Sequence, residues 1–105
     1  MLLAIDCGNT NTVFAVYDGD TQVGKWRIAT NAQRTSDEYA VWLTQLIWLK
    51  DLSTKDITHA IVTTVVPGTR RAIVNLLESH FGVTPLIIRD PEVDLGIEGL
   101  IERPE

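Results

Sequence analysis

At 105 residues, 45% of them hydrophobic and 22% charged, the chain has the size and composition of one small globular domain, which excludes a disordered or collagen-like polypeptide. Nine Lys and Arg against fourteen Asp and Glu leave a net charge of -5. The charge that drives nucleic-acid affinity is therefore missing, and no nucleic-acid partner is expected. The apolar runs fall well short of the roughly 20 residues that cross a bilayer. Asp6 interrupts the N-terminal apolar run too early for a secretion signal. One cysteine, Cys7, allows no intrachain disulfide. A cytoplasmic protein without membrane contact is expected.

Leu2–Cys7 reads as a short buried strand that ends in a turn, Asp-Cys-Gly-Asn-Thr. Thr12–Tyr17, rich in β-branched and aromatic residues, reads as a second strand. Asp18-Gly19-Asp20 predicts a tight type I′ hairpin, and Gln22–Ala29 returns as a third strand. The period then changes. Thr35 and Glu38 stand three apart as a capping box, and Tyr39, Trp42, Leu43, Leu46 and Ile47 recur at helical spacing. Val41 and Trp48, seven apart, share a helix face displaced from that stripe. Asp51–Thr54 is a polar break. His59–Val66 is the β-branched run of a parallel strand covered on both faces. Thr69 is placed to cap a second helix reaching about His80, with Ala72, Ile73, Leu76 and Leu77 inward and Gly82 as its stop. Thr84–Ile88 is a fifth strand. The order β-β-β-α-β-α-β predicts a mixed sheet with helices packed on its faces.

Two patterns invite a phosphate reading. Gly19-Asp-Thr-Gln-Val-Gly24-Lys25 follows most of the G-x-x-x-x-G-K-[ST] pattern, but Trp26 replaces the hydroxyl residue and the segment lies in a hairpin, so it is read as coincidence. The run Asp6-Cys7-Gly8-Asn9-Thr10-Asn11-Thr12 carries more. An acid ends a buried strand, a glycine follows, and hydrogen-bonding side chains lead into the next strand. Gly8 lets backbone N–H groups approach phosphate oxygens, and Asp6 suits Mg²⁺ held through water. The competing reading is a plain Asx-type turn.

The opening Leu-Leu-Ala-Ile-Asp-Cys-Gly-Asn-Thr-Asn-Thr resembles the first phosphate motif of the acetate and sugar kinase, Hsp70 and actin superfamily. Trp26-Arg27 with Thr30, then Arg34-Thr35-Ser36-Asp37-Glu38-Tyr39, then Val62-Thr63-Thr64-Val65-Val66-Pro67 make the whole chain similar to the N-terminal half of one member. That member is the type III pantothenate kinase, or Bvg accessory factor, family. The resemblance implies a ribonuclease H-like (actin-like ATPase) fold and a domain over 1–105 that stops before a second, similar one. It implies ATP-dependent phosphorylation of pantothenate to 4′-phosphopantothenate, with Mg²⁺ and a monovalent cation, K⁺ or NH₄⁺, in a homodimer. Asp6, Cys7, Gly8, Asn9, Thr10, Asn11, Thr12 and Val13 would form the ATP-phosphate site, with Asp6 the metal-binding acid.

The family's catalytic aspartate, in a Gly-Ala-Asp-Arg motif, is expected just after Glu105, so the 105 residues alone are expected to be inactive. Thr63, Thr64 and Ile101 are candidates for the substrate cleft. The family usually has Ser at the two threonine positions and often a substrate-contacting Tyr where Ile101 stands. Rival readings are another kinase or phosphatase of the superfamily, or a Bvg-type transcriptional regulator. The side chain of Cys7 is read as a small packed group, those of His59 and His80 as structural or exposed, and Arg34 as a contact to an anion or the partner subunit or else a solvated or helix-capping group. Trp48, with Val41, is a candidate anchor for a subunit interface, the competing reading being that a second layer of the same chain covers them.

Overall fold

The computed structural model describes residues 1–64 and 67–88. Five strands form one sheet in the order β3-β2-β1-β4-β5: β1 (Leu2–Cys7), β2 (Asn11–Asp18), β3 (Thr21–Ala29), β4 (His59–Thr64) and β5 (Leu86–Ile88). β1 pairs antiparallel with β2 and parallel with β4. β2 and β3 make an antiparallel hairpin, and β4 and β5 run parallel. The mixed sheet and the β-β-β-α-β-α-β order match the sequence reading. The fifth strand is shorter than expected and begins at Leu86.

Strand residues alternate between faces. Leu3, Ile5 and Cys7 of β1, Phe14 and Val16 of β2, and Ala60 and Val62 of β4 point to one side. There they form a single core with Tyr39, Leu43 and Ile47 of α1 (Ser36–Leu49) and Ile73 and Leu76 of α2 (Pro67–Leu76). Both helices therefore cover the same face, where helices on both faces were expected, and Ile61 and Thr63 on the other face of β4 are only half-buried, where a strand covered on both faces was expected. Trp42 lies at the margin of this core, edge-on to Phe14 with ring centroids 5.2 Å apart. Val41 and Trp48 stand outside it, 68% and 69% exposed.

α1 starts as its sequence predicts. The Glu38 N–H donates to Thr35 Oγ1 at 3.2 Å, and the Thr35 N–H donates to Glu38 Oε1 at 2.8 Å, which satisfies two of the donors a helix leaves free at its start. The polar break after α1 contains a short 3₁₀ turn, Thr54–Asp56.

Two local expectations change. The hairpin between β2 and β3 has a positive φ only at Gly19 (61°), with Asp20 in the ordinary negative range. That is the sign pattern of a type II′ turn, where type I′ was expected. The second helix begins at Pro67, so Thr69 sits inside its first turn, buried, and is not its cap. The helix ends in a π-helical turn, Leu77–Phe81, stopped by left-handed Gly82, whose N–H donates to the Leu77 carbonyl.

Candidate phosphate-binding site

The topology brings one end of every functional element to the same edge of the sheet. β1 and β4 finish there, β2 starts there, β3 finishes there, and both helices begin beside it. Open α/β sheets place their ligands at this carboxyl edge, where neighbouring strand connections diverge. The loop from β1 to β2 is only Gly8–Asn9–Thr10. Asn9 and Thr10 are exposed on it, as is Asn11 at the start of β2. Asp6, the last residue of β1 on the face opposite α1 and α2, is exposed and paired in register with Val13 on one side and Thr63 on the other. Arg27 of β3 pairs with Val13 and so lies in the same row as Asp6, two strands away.

The turn is built inward. The Gly8 N–H donates to the Asn11 carbonyl at 3.0 Å. A Cβ on Gly8 would stand 3.0 Å from that same carbonyl oxygen, so the glycine is required by the turn's own closure as well as by any ligand. Thr30, just past β3, reaches across. Its N–H donates to the Thr10 carbonyl at 2.9 Å, and its hydroxyl donates to the Gly8 carbonyl at 2.7 Å and lies 2.9 Å from Thr12 Oγ1. Thr12 and Cys7 are buried on the helix face beneath the turn. Of the run Asp6–Val13, then, the solvent-facing groups are the Asp6 carboxylate, the loop backbone and the side chains of Asn9, Thr10 and Asn11. Cys7, Thr12 and Val13 support them from below or from the side.

Under the turn, burial pushes the Cys7 thiol above its ordinary 9.0, while the hydroxyls of Thr69, Thr64 and Thr12 pull the other way. A buried thiol held neutral is a packing group and not a nucleophile. Burial also raises the Tyr39 phenol. Arg34 lies 5.6 Å from the Tyr39 ring centroid and donates to the Ala29 carbonyl at 2.7 Å. Its positive charge partly offsets the burial effect. The guanidinium does not meet the Tyr39 hydroxyl in hydrogen-bond geometry, and that hydroxyl has no partner among the described residues. Arg34 thus ties the end of β3 to the start of α1, beside the turn. Thr64 is buried on the Cys7 side of β4, and Thr63 is half-buried on the Asp6 side. Ile101 lies outside the described residues. His59 is exposed at the far end of β4, and His80 meets Asp37 in the first turn of α1 at 3.4 Å. Gly24 and Lys25 lie within β3, and the Trp26 indole covers Gly24, so the apparent P-loop pattern is ordinary hairpin.

A family model described as type III pantothenate kinase matches residues 2–105. The chain belongs to the type III pantothenate kinase family. It is 55% identical over its whole length to the type III pantothenate kinase of Rhodospirillum rubrum and 51% identical to that of Rhodospirillum centenum. It spans 41% and 40% of the length of those two relatives. Among solved structures, a ROK hexokinase from Thermus thermophilus superposes over 93% of this chain and 38% of its own, with a TM-score of 0.65 at 16% identity. RuvC from T. thermophilus, in complex with Holliday junction substrate, covers 96% of this chain and 78% of its own, with a TM-score of 0.55 at 15% identity. These two likenesses carry the fold alone, an actin-like, ribonuclease H-like sheet.

Proposed function

We propose that this chain is the N-terminal, phosphate-binding part of a longer kinase that transfers the γ-phosphoryl group of ATP to pantothenate, the first step of coenzyme A synthesis. One observation carries the reading. The only loop between β1 and β2 is a three-residue turn at the carboxyl edge with an acid at its root, in a chain that matches the family from residue 2 to 105. Asp6 fits Mg²⁺: it is an exposed oxygen donor, and Mg²⁺ is commonly held by one or two carboxylates with water and phosphate filling the other positions. When bound, Mg²⁺ would neutralise phosphate charge; K⁺ or NH₄⁺ is the monovalent cation the resemblance implies. The backbone of Gly8–Asn9–Thr10 orients the phosphates, and Thr63 borders the cleft on the Asp6 side. The carboxylate that accepts the hydroxyl proton is assigned to the remainder of the longer protein, so the 105 residues alone are expected to bind phosphate without turning over.

We place the enzyme in the cytoplasm as a homodimer, with Trp48 and Val41 of α1 at the subunit contact. The test is the full-length protein with ATP and a panel of acceptors, read by product mass. Phosphopantothenate as the preferred product supports the reading. A preferred sugar or acetate product would move the protein to another kinase of the superfamily. DNA binding without kinase activity would move it to the regulator reading, against the chain's charge of -5.

A further inference from the structure

We propose that Thr30 is a positioning residue that aims the phosphate turn; the inference rests on the phosphate reading of Asp6–Thr12. Three bonds fix it to the turn: its N–H to the Thr10 carbonyl, its hydroxyl to the Gly8 carbonyl at 2.7 Å, and its oxygen 2.9 Å from Thr12 Oγ1. The direction of the protons follows. A carbonyl only accepts, so the single Thr30 hydroxyl proton goes to Gly8. Thr12 then donates to Thr30, giving a directed chain from Thr12 through Thr30 to Gly8. Such chains polarise and strengthen each member.

The consequence for function lies in one peptide plane. The Gly8–Asn9 peptide is planar and trans, so its N–H points opposite to its carbonyl. Thr30 holds that carbonyl inward, and the Asn9 N–H is thereby held outward on the exposed side of the turn, as a donor for a phosphate oxygen. Without the hydroxyl the plane is free to rotate and the donor loses its aim. The turn's other internal bond, from the Gly8 N–H to Asn11, lies in the preceding peptide and does not restrain this one.

The test compares T30V, T30S and T30C in the full-length enzyme. Valine keeps the shape and removes the hydroxyl, so the Gly8 carbonyl loses its Thr30 donor and the Thr12 hydroxyl loses its Thr30 acceptor. T30V should weaken binding of a non-hydrolysable ATP analogue, measured by calorimetry, and raise KM for ATP by about tenfold or more, the scale of one buried polar group left unsatisfied. KM for pantothenate should stay unchanged. T30S keeps the hydroxyl and should restore both ATP values to near wild type. If T30V does not fold, T30C decides by the same readout: a thiol fills the space but donates weakly, so KM for ATP should still rise. Unchanged ATP affinity in folded T30V or T30C, or failure of T30S to restore it, overturns the role of Thr30. A wild-type enzyme indifferent to Asp6→Asn would overturn the phosphate reading itself, and that result is independent of the Thr30 series.

Discussion

Gly8 sits in a closed bond with Asn11, and a side chain there meets the acceptor of that bond at 3.0 Å. The Asn11 carbonyl cannot swing away from an added methyl without lengthening the Gly8 N–H bond it accepts. Gly8→Ala should therefore lower stability by about 1 kcal/mol, the worth of one hydrogen bond, and weaken binding of an ATP analogue as well. Thermal unfolding and calorimetry on the same samples check both, and wild-type affinity in the mutant would detach the turn from phosphate. Tyr39 presents the opposite case. Its hydroxyl is buried and has no partner among the described residues, so Tyr39→Phe should be neutral or stabilise by up to about 1 kcal/mol in urea unfolding. A loss above that range would mean the hydroxyl is bonded in solution. Cys7 predicts a pH effect. Its folded pKa is raised above 9.0, so above that pH the unfolded chain gives up the thiol proton first. Stability is full below pH 9.0, falls as pH rises through the folded value, and the fall should shrink in Cys7→Ala. The turn residues themselves were legible, because an acid, a glycine and amide side chains in sequence are local chemistry. Thr30's part was not legible, since no local pattern tells a threonine at a strand end what lies across from it.

That partner is set at the scale of the element. In the β2–β3 hairpin, Tyr17 pairs with Gln22 but Val16 pairs with Gly24, so Val23 is an extra residue in β3. Counted back from the Asp18–Thr21 pair without the bulge, Thr30 would face Asn9 with its side chain on the wrong side of the sheet. With the bulge it meets Thr10, and its hydroxyl shares the helix face with Thr12. Bulges re-aim side chains in this way near functional sites, and their signature in sequence is weak. The helices divide similarly. α1 was readable from Thr35 and Glu38 because its cap is made by those same two side chains. Thr69 was misplaced as a cap because its hydroxyl turns inward to the Cys7 thiol, a tertiary contact that local preference does not encode. Thr35→Ala should cost about 1 kcal/mol in thermal or urea unfolding, the usual worth of a cap. A change below a few tenths would show that tertiary packing alone holds the start of α1.

At the scale of the whole molecule, the strand order and the shared helix face put the β1–β2 turn and the ends of β3 and β4 at one edge; the mixed sheet followed from the β-β-β-α-β-α-β order, whereas the strand order and the shared face are set by tertiary packing. The exposed pair Val41 and Trp48 belongs to the same scale. Trp48→Glu in the full-length protein should yield a folded monomer by mass in solution, and an unchanged dimer would remove α1 from the interface. The central assignment is the phosphate site rooted at Asp6. Its most direct test is the rate of ATP-dependent pantothenate phosphorylation by full-length Asp6→Asn at limiting Mg²⁺, with circular dichroism confirming the fold. A neutral amide cannot offset phosphate charge, so the rate should drop by about a hundredfold or more; a folded mutant that turns over at the wild-type rate would contradict the assignment.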